Sequence, residues 1–172
     1  YQHLLTSTDP AQMAMNRTPG LELMYIGARG VPVYYSANNL NAAKTVRTWD
    51  VWPGGVGGGF VGLTGSSTQP GELAVWDAGR VKTTHQEFGG RVTQMDSATK
   101  FSQHSTHVSG TLVAGGVNPA ARGMSYQAPL HAYDWKFDPA EMAAAAAQNL
   151  EISSHSYEHT TGWLSNYWYG DI

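Results

Sequence analysis

The residues of this sequence best suited to acid–base chemistry are an aspartate and a histidine in its middle third. Asp77 ends the apolar run Leu73-Ala-Val-Trp76, and His104 opens a stretch in which apolar residues recur at helical spacing. A carboxylate at the end of a strand can accept a hydrogen bond from one imidazole nitrogen, which leaves the other nitrogen to deprotonate a hydroxyl. The plainer alternative is that Asp77 is a turn residue and His104 an ordinary residue at a helix N-terminus.

The histidines also suggest metal chemistry. His104 and His107 have the i, i+3 spacing at which two imidazoles on one helix can chelate zinc. Zinc proteases that bind the metal through two histidines of one helix use i, i+4 spacing with a glutamate between the histidines. Here the residues between the histidines are Ser105 and Thr106, and neither is a glutamate. We therefore expect His107 to be a core histidine that hydrogen-bonds to the backbone, with zinc ligation as the alternative. No metal site is predicted.

Aromatic residues are concentrated near the end of the sequence, at Trp163, Tyr167, Trp168 and Tyr169. Exposed aromatic rings can stack on sugars or form the rim of a peptide-binding surface. The other interpretation is that they are core or edge anchors, since large aromatic side chains are mostly buried. A binding function for this segment stays open.

Alternating strand and helix patterns must position these side chains. Three short apolar runs predict strands, at 73–76, 129–133 and 152–157. Two stretches between them predict helices, at 104–113 and 138–150. The second helix begins Asp138-Pro-Ala-Glu141, which predicts an N-cap and a capping box. The alternation predicts an α/β domain with a parallel β-sheet flanked by helices.

The first 60 residues follow a different pattern. They are polar and weakly periodic up to residue 30, after which an edge strand is predicted at 31–35 and a helix at 38–48. Pro53-Gly-Gly-Val-Gly-Gly-Gly59 then predicts a linker or a wide turn. We expect an N-terminal extension over residues 1–60 and the main domain over 61–172.

The composition excludes several classes of function. The chain has 172 residues, 13% of them charged, and a formal net charge of -3. It contains no basic run, so nucleic acid is not an expected partner, and no stretch approaches the ~20 apolar residues of a membrane span. It contains no cysteine, which excludes disulfides, thiolate metal sites and a cysteine nucleophile.

The segments around Asp77 and His104 resemble the aspartate and histidine blocks of the subtilisin-like serine proteases. They read Val75-Trp-Asp-Ala-Gly79 and His104-Ser-Thr-His-Val-Ser-Gly-Thr111. The family usually has an apolar strand into Asp-Ser/Thr-Gly, and His-Gly-Thr-His-Val-Ala-Gly-Thr. Further segments resemble the family in the same order, at 81–88, 123–133 and 151–157. The resemblance covers about residues 71–160 and is closest to large secreted bacterial subtilases.

The resemblance implies a role for each matching residue. Asp77 would orient the imidazole, and His104 would be the general base. Ser156, Tyr157 and Glu158 would line the wall along which the substrate backbone lies. Glu158 stands where the family has glycine, so it would crowd the substrate's approach to the backbone.

The resemblance also bears on cofactors. Glu87 falls where the family often has a calcium-binding aspartate. The insertion that completes that calcium site is missing, because residues 111–119 run nearly straight on. Calcium is therefore the one ion that the resemblance suggests, and we do not expect it at Glu87.

The activity implied by the resemblance is that of a secreted serine endopeptidase that cleaves peptide or protein substrates through an acyl-enzyme. The family's serine block and its oxyanion asparagine should lie downstream of His104, and neither occurs after Tyr157. We therefore expect an incomplete subtilisin-like domain, with the serine on a complementary C-terminal portion or a second chain. The alternatives are a catalytically inactive subtilase-like protein and an aromatic-rich binding module for protein or glycan.

Overall fold

The structure, a computed structural model, describes residues 21–26, 32–36, 39–55, 62–157, 162–164 and 167–169. Its strands are β1 (Leu21–Ile26), β2 (Pro32–Ser36), β3 (Leu73–Asp77), β4 (Val92–Gln94), β5 (Leu130–Asp134), β6 (Ile152–His155), β7 (Gly162–Leu164) and β8 (Tyr167–Tyr169). Its helices are α1 (Asn39–Thr45), α2 (Thr48–Val51), α3 (Gln103–Val113) and α4 (Asp138–Ala146). Within these ranges, no helix is long and apolar enough to cross a membrane.

A four-stranded parallel sheet forms the centre of the protein. Its strand order is β4-β5-β3-β6, and β3 is an interior strand with all five residues buried. The helices α3 and α4 each lie between two of these strands in the chain, as parallel pairing requires. The predicted α/β class, a parallel sheet with helices, is confirmed.

The hydrophobic core lies on the face of the sheet that α3 covers. Leu73 and Val75 of β3 are buried there with Val113 of α3, and Val108 and Leu112 pack against the same cluster. Each such side chain stabilises the fold by about 1.5–3 kcal/mol through its burial. Since side chains alternate along a strand, Asp77 emerges on this same face, directed toward α3.

Trp52 anchors the segment 39–55 to the main domain. Trp52, just after α2, is buried and donates its indole N–H to the carbonyl of Met124 at 3.0 Å. The Arg122 guanidinium lies over the rings of both Trp52 and Tyr126. The predicted boundary near residue 60 lies outside the described residues, so the division into 1–60 and 61–172 stays a prediction.

Four strands were not predicted. β1 forms an antiparallel pair with β2, although its sequence lies in the polar, weakly periodic part of the chain. β4 has three residues and pairs with β5 at the edge of the main sheet. β7 and β8 form an antiparallel pair in the aromatic segment. Each of these strands is stabilised by pairing with another strand, which the pattern of its own residues does not reveal.

The capping box predicted at the start of α4 is wrong. The N-cap is Phe137, in a left-handed conformation with φ of 63°, and no side chain caps the helix. The carboxylate of Asp138 accepts instead from Tyr157, and that of Glu141 accepts from the buried Trp76. Both carboxylates therefore accept hydrogen bonds from side chains elsewhere in the fold and do not cap the helix N-terminus.

Candidate active site

The turn after β3 fixes where α3 can begin. Gly79 has φ of +152°, and a Cβ on it would lie 2.9 Å from the carbonyl oxygen of Lys100. That carbonyl accepts from the amide of Arg80, whose own carbonyl accepts from the amide of Ser102, each at 2.9 Å. The close approach that glycine permits thus ties the end of β3 to the residues just before α3.

Local hydrogen bonds determine where α3 begins. Ser102 is the N-cap of α3, and its hydroxyl accepts from the amide of Ser105 at 3.0 Å. The Thr106 hydroxyl accepts from the amide of Lys82 at 3.0 Å, which anchors the first turn to the segment after β3. His104 is consequently placed in the first turn, beside the end of β3.

Asp77 and His104 form the hydrogen-bonded pair around which the site is built. His104 Nδ1 lies 2.7 Å from Asp77 Oδ1. The Asp77 side chain is 1% exposed, whereas that of His104 is 58% exposed. A carboxylate only accepts, so Nδ1 carries the proton and the neutral imidazole presents an Nε2 lone pair. No described residue hydrogen-bonds to Nε2.

Further donors hold the Asp77 carboxylate in place. Oδ1 also accepts from the amide of Ala78 at 2.6 Å and from the hydroxyl of Ser105 at 2.9 Å. Oδ2 is buried without a hydrogen-bond partner among the described residues. Ser105 was not predicted to be a site residue. Its polar side chain on the same helix turn as His104 was the available signal.

On the opposite face of the sheet, an aromatic stack joins the ends of three strands. The fully buried Trp76 stacks on Tyr133 of β5 at 4.4 Å and on His155 of β6 at 5.5 Å between ring centroids. Its indole N–H donates to Glu141 of α4 at 3.1 Å. Trp76 therefore fixes the strand end that carries the next residue, Asp77.

The expected substrate wall is described in part. Ser156 is exposed and Tyr157 is half-buried directly after β6, while Glu158 lies outside the described residues. The Tyr157 ring packs edge-on against Trp135, with 5.6 Å between the ring centroids. Trp135 is itself 45% exposed. The structure thus places an aromatic surface where the substrate wall was predicted.

A cavity of about 240 Å³ opens directly beyond the end of β3. Gly79 lines one part of it, and Asp96, Asp134 and Glu141 contribute carboxylates. Phe137, at the start of α4, also lines it, and its side chain is largely exposed. Neither Asp77 nor His104 lines this cavity, which is bounded by the turn after β3 and the start of α4.

Acidic side chains and two lysines, Lys100 and Lys136, line this cavity. Burial raises the pKa of Glu141, the hydrogen bond from Trp76 opposes that change, and the carboxylates of Asp96 and Asp134 raise the pKa further. Burial also raises the pKa of Tyr133, and the charges of Glu141 and Asp96 add to the effect. Both groups therefore hold their protons more firmly than they would in water.

His107 is not where the sequence predicted it, and the Glu87 carboxylate is bound by backbone amides. His107 is exposed, so the expectation of a core histidine is wrong; on α3 it faces away from the buried Ser105 and Ser109. The buried Glu87 carboxylate accepts backbone N–H groups of residues 116–118. Among the described residues, no group of three or more acidic or histidine side chains is arranged to hold a metal ion.

Comparison of the chain with protein-family models, curated proteins and solved structures finds no match. The chemistry of the site is therefore inferred from its own geometry. That geometry is a buried carboxylate and an exposed imidazole oriented by it.

Proposed function

We propose that this chain supplies the aspartate and histidine of a subtilisin-like serine endopeptidase. The observation that carries the proposal is the 2.7 Å hydrogen bond between His104 Nδ1 and the buried carboxylate of Asp77. An acid that orients a base, with the other nitrogen of the base free, is the arrangement that activates a hydroxyl nucleophile. The resemblance of both segments to the subtilase blocks supports the same assignment.

In this mechanism His104 is the general base and then the general acid. Nε2 takes the proton of a serine hydroxyl as its oxygen attacks the peptide carbonyl, and the Asp77 carboxylate stabilises the imidazolium that forms. The tetrahedral intermediate collapses when Nε2 gives the proton to the leaving amine, which leaves an acyl-enzyme. Water, deprotonated by the same nitrogen, then releases the acid product.

The serine belongs, in this proposal, to a complementary C-terminal portion or a second chain. The edge strand β6 supports the existence of such a complementary portion. In the described sheet β6 pairs on one side only, with β3, and its residue Ile152 is 61% exposed. A further strand from the complementary portion would cover this edge. The substrate in this proposal is a peptide or protein, and the resemblance to secreted subtilases supports a location outside the cell.

Labelling with a fluorophosphonate tests the proposal. The native preparation, with any accompanying polypeptide, should gain one phosphonyl group on a serine, read out by intact mass and peptide mapping. His104→Ala should abolish the labelling, and Asp77→Asn should slow it by about 10⁴-fold. His107→Ala is the matched control, because it removes an exposed imidazole from the same helix and should label like the wild type.

The outcomes separate catalysis from binding. Labelling that survives His104→Ala would assign the nucleophile to another site and contradict the proposal. Absence of labelling in the full native preparation would favour a catalytically inactive, subtilase-like protein.

A second candidate, a binding module for protein or glycan, is favoured by the hairpin of β7 and β8. Its antiparallel register sets Trp163 opposite Trp168 across the two strands. Tryptophan is a residue type that binds sugars and peptides through its flat apolar ring. A chain that binds immobilised polysaccharide or protein equally well before and after His104→Ala, and that no fluorophosphonate labels, would support this function instead.

A further inference from the structure

The hydroxyl of Tyr157 lies between an acid and an imidazole. Its oxygen is 2.6 Å from Asp138 Oδ2 and 2.9 Å from His155 Nδ1. Asp138 is the first residue of α4, whereas His155 is the last residue of β6. The contact therefore joins a helix start to the strand end from which the expected substrate wall leaves the sheet.

Counting protons fixes the direction of both hydrogen bonds. The Asp138 carboxylate only accepts, so the single phenolic proton of Tyr157 is donated to it. The phenolic oxygen can then only accept from His155, whose Nδ1 must carry a proton. The neutral form of His155 is accordingly the Nδ1–H tautomer, with Nε2 left as an acceptor.

Tyr157 is held as a permanent donor. Burial raises the pKa of its phenol well above the ordinary value, and the hydrogen bond to Asp138 together with the charges of Asp138 and Asp77 raises it further. The ring is also fixed from the side by its edge-on contact with Trp135. The aromatic ring thus has one defined position at the start of the wall.

Asp138 performs no capping function that would explain its place in the fold. The N-terminus of α4 has no side-chain cap, and the carboxylate of Asp138 is directed to Tyr157. The residue before it, Phe137, has φ of 63°, a left-handed conformation that is unfavourable for a non-glycine residue. The fold accepts this cost at the turn that brings Asp138 to the phenol.

We infer that Asp138 is a positioning residue: it holds Tyr157, and through it His155, so that Ser156 and Tyr157 keep the positions in which they contact a substrate backbone. This inference deepens the proposed function and rests on it for the identity of the ligand, an extended peptide. Asp138 itself does not touch the reacting atoms. Its effect is on peptide affinity and not on the chemistry of Asp77 and His104.

Three variants separate the hydrogen bond from the charge. Asp138→Ala removes the acceptor, Tyr157→Phe removes the donor, and Asp138→Asn keeps an acceptor oxygen without the charge. Glu151→Ala is the matched control, because it removes one exposed carboxylate at the start of the same strand segment. Circular dichroism and thermal unfolding of each variant verify that the domain is folded.

The probe is the tetrapeptide Ala-Ala-Pro-Phe, with binding measured by titration calorimetry on the native preparation. Asp138→Ala and Tyr157→Phe should each weaken binding about tenfold, and the double variant should be no weaker than either one. Asp138→Asn and Glu151→Ala should bind within about twofold of the wild type. Imidazole ¹⁵N chemical shifts should report the Nδ1–H tautomer of His155 in the wild type and its loss in Asp138→Ala.

The results distinguish this inference from the proposed function. Weaker peptide binding in Asp138→Ala, without fluorophosphonate labelling of the wild type, would uphold the positioning role and reject the serine chemistry. His104-dependent labelling, with unchanged peptide affinity in Asp138→Ala, would do the reverse. An Nε2–H tautomer of His155 in the wild type, or no peptide binding by any form, would overturn the inference.

Discussion

Ser105 donates its hydroxyl to the same oxygen of Asp77 that accepts Nδ1–H of His104. Ser105 is fully buried, and its amide is bound by the N-cap of the helix that carries His104. One residue therefore links the helix start to the carboxylate. This arrangement makes the orientation of the acid depend on the position of the helix as well as on the strand.

Ser105→Ala should lower the free energy of unfolding by about 1–3 kcal/mol, because it removes a buried hydrogen bond to a carboxylate. The Ser109 hydroxyl, equally buried, donates to the backbone carbonyl of Ser105 at 2.8 Å. Ser109→Ala, the matched control, should therefore cost about 1 kcal/mol or less. Urea unfolding measures both costs, and equal values for the two variants would contradict the role given to Ser105.

Gly79→Ala should disrupt the turn between β3 and α3. Its Cβ would lie 2.9 Å from the carbonyl oxygen of Lys100, and the positive φ adds strain. Gly90 also has a positive φ, +79°, but no atom lies within 4 Å of a Cβ placed there. Gly90→Ala should thus cost about 1 kcal/mol and Gly79→Ala at least twice that.

The same two glycine variants differ in their effect on the site. Since Gly79 ties the end of β3 to the residues before α3, Gly79→Ala should also reduce the rate of fluorophosphonate labelling, whereas Gly90→Ala should leave it unchanged. Equal unfolding free energies for the two variants would show that the close approach at Lys100 is unimportant.

The parts of the fold that could be predicted from sequence are those encoded locally. The apolar run that forms β3 and the helical spacing of α3 are each continuous in the chain. Asp77 stands at the end of the first and His104 at the start of the second, so their places could be predicted as well. The parallel sheet followed from the alternation of elements. The strands β1 and β4 did not, because their pairing partners are what make them strands.

Side-chain partners distant in sequence explain the wrong prediction at the start of α4. Asp138 and Glu141 have the spacing of a capping box, yet Tyr157 and Trp76 donate to them across the fold. A local pattern states which groups are able to accept a hydrogen bond. Which donor reaches them depends on how the sheet and α4 pack together.

Glu87 should stabilise the loop after α3 without a cation. Its carboxylate accepts from the amides of Gly116, Val117 and Asn118 at 2.7, 3.0 and 2.7 Å. Glu87→Ala should lower the free energy of unfolding by about 2 kcal/mol, since three donors lose a charged partner. Calcium needs six to eight oxygen ligands, and here backbone N–H groups take up the carboxylate oxygens.

A chelator therefore provides the control for Glu87. EDTA should leave the melting temperature of both the wild type and Glu87→Ala unchanged in differential scanning calorimetry. A fall in the melting temperature of the wild type alone, restored by added calcium, would contradict this account of the loop.

Glu141 should make stability depend on pH. Its pKa is raised from the ordinary 4.5, first by burial and then, against the hydrogen bond from Trp76, by the carboxylates of Asp96, Asp134 and Asp138. The folded state therefore binds this proton more tightly than the unfolded state, so the free energy of unfolding falls as pH rises through the raised pKa. Glu141→Gln keeps an acceptor for Trp76 and cannot ionise. In urea unfolding, the variant should have the same free energy of unfolding as the wild type at pH 4 and a higher one at pH 7. A difference in free energy of unfolding that is the same at both pH values would contradict the role given to Glu141.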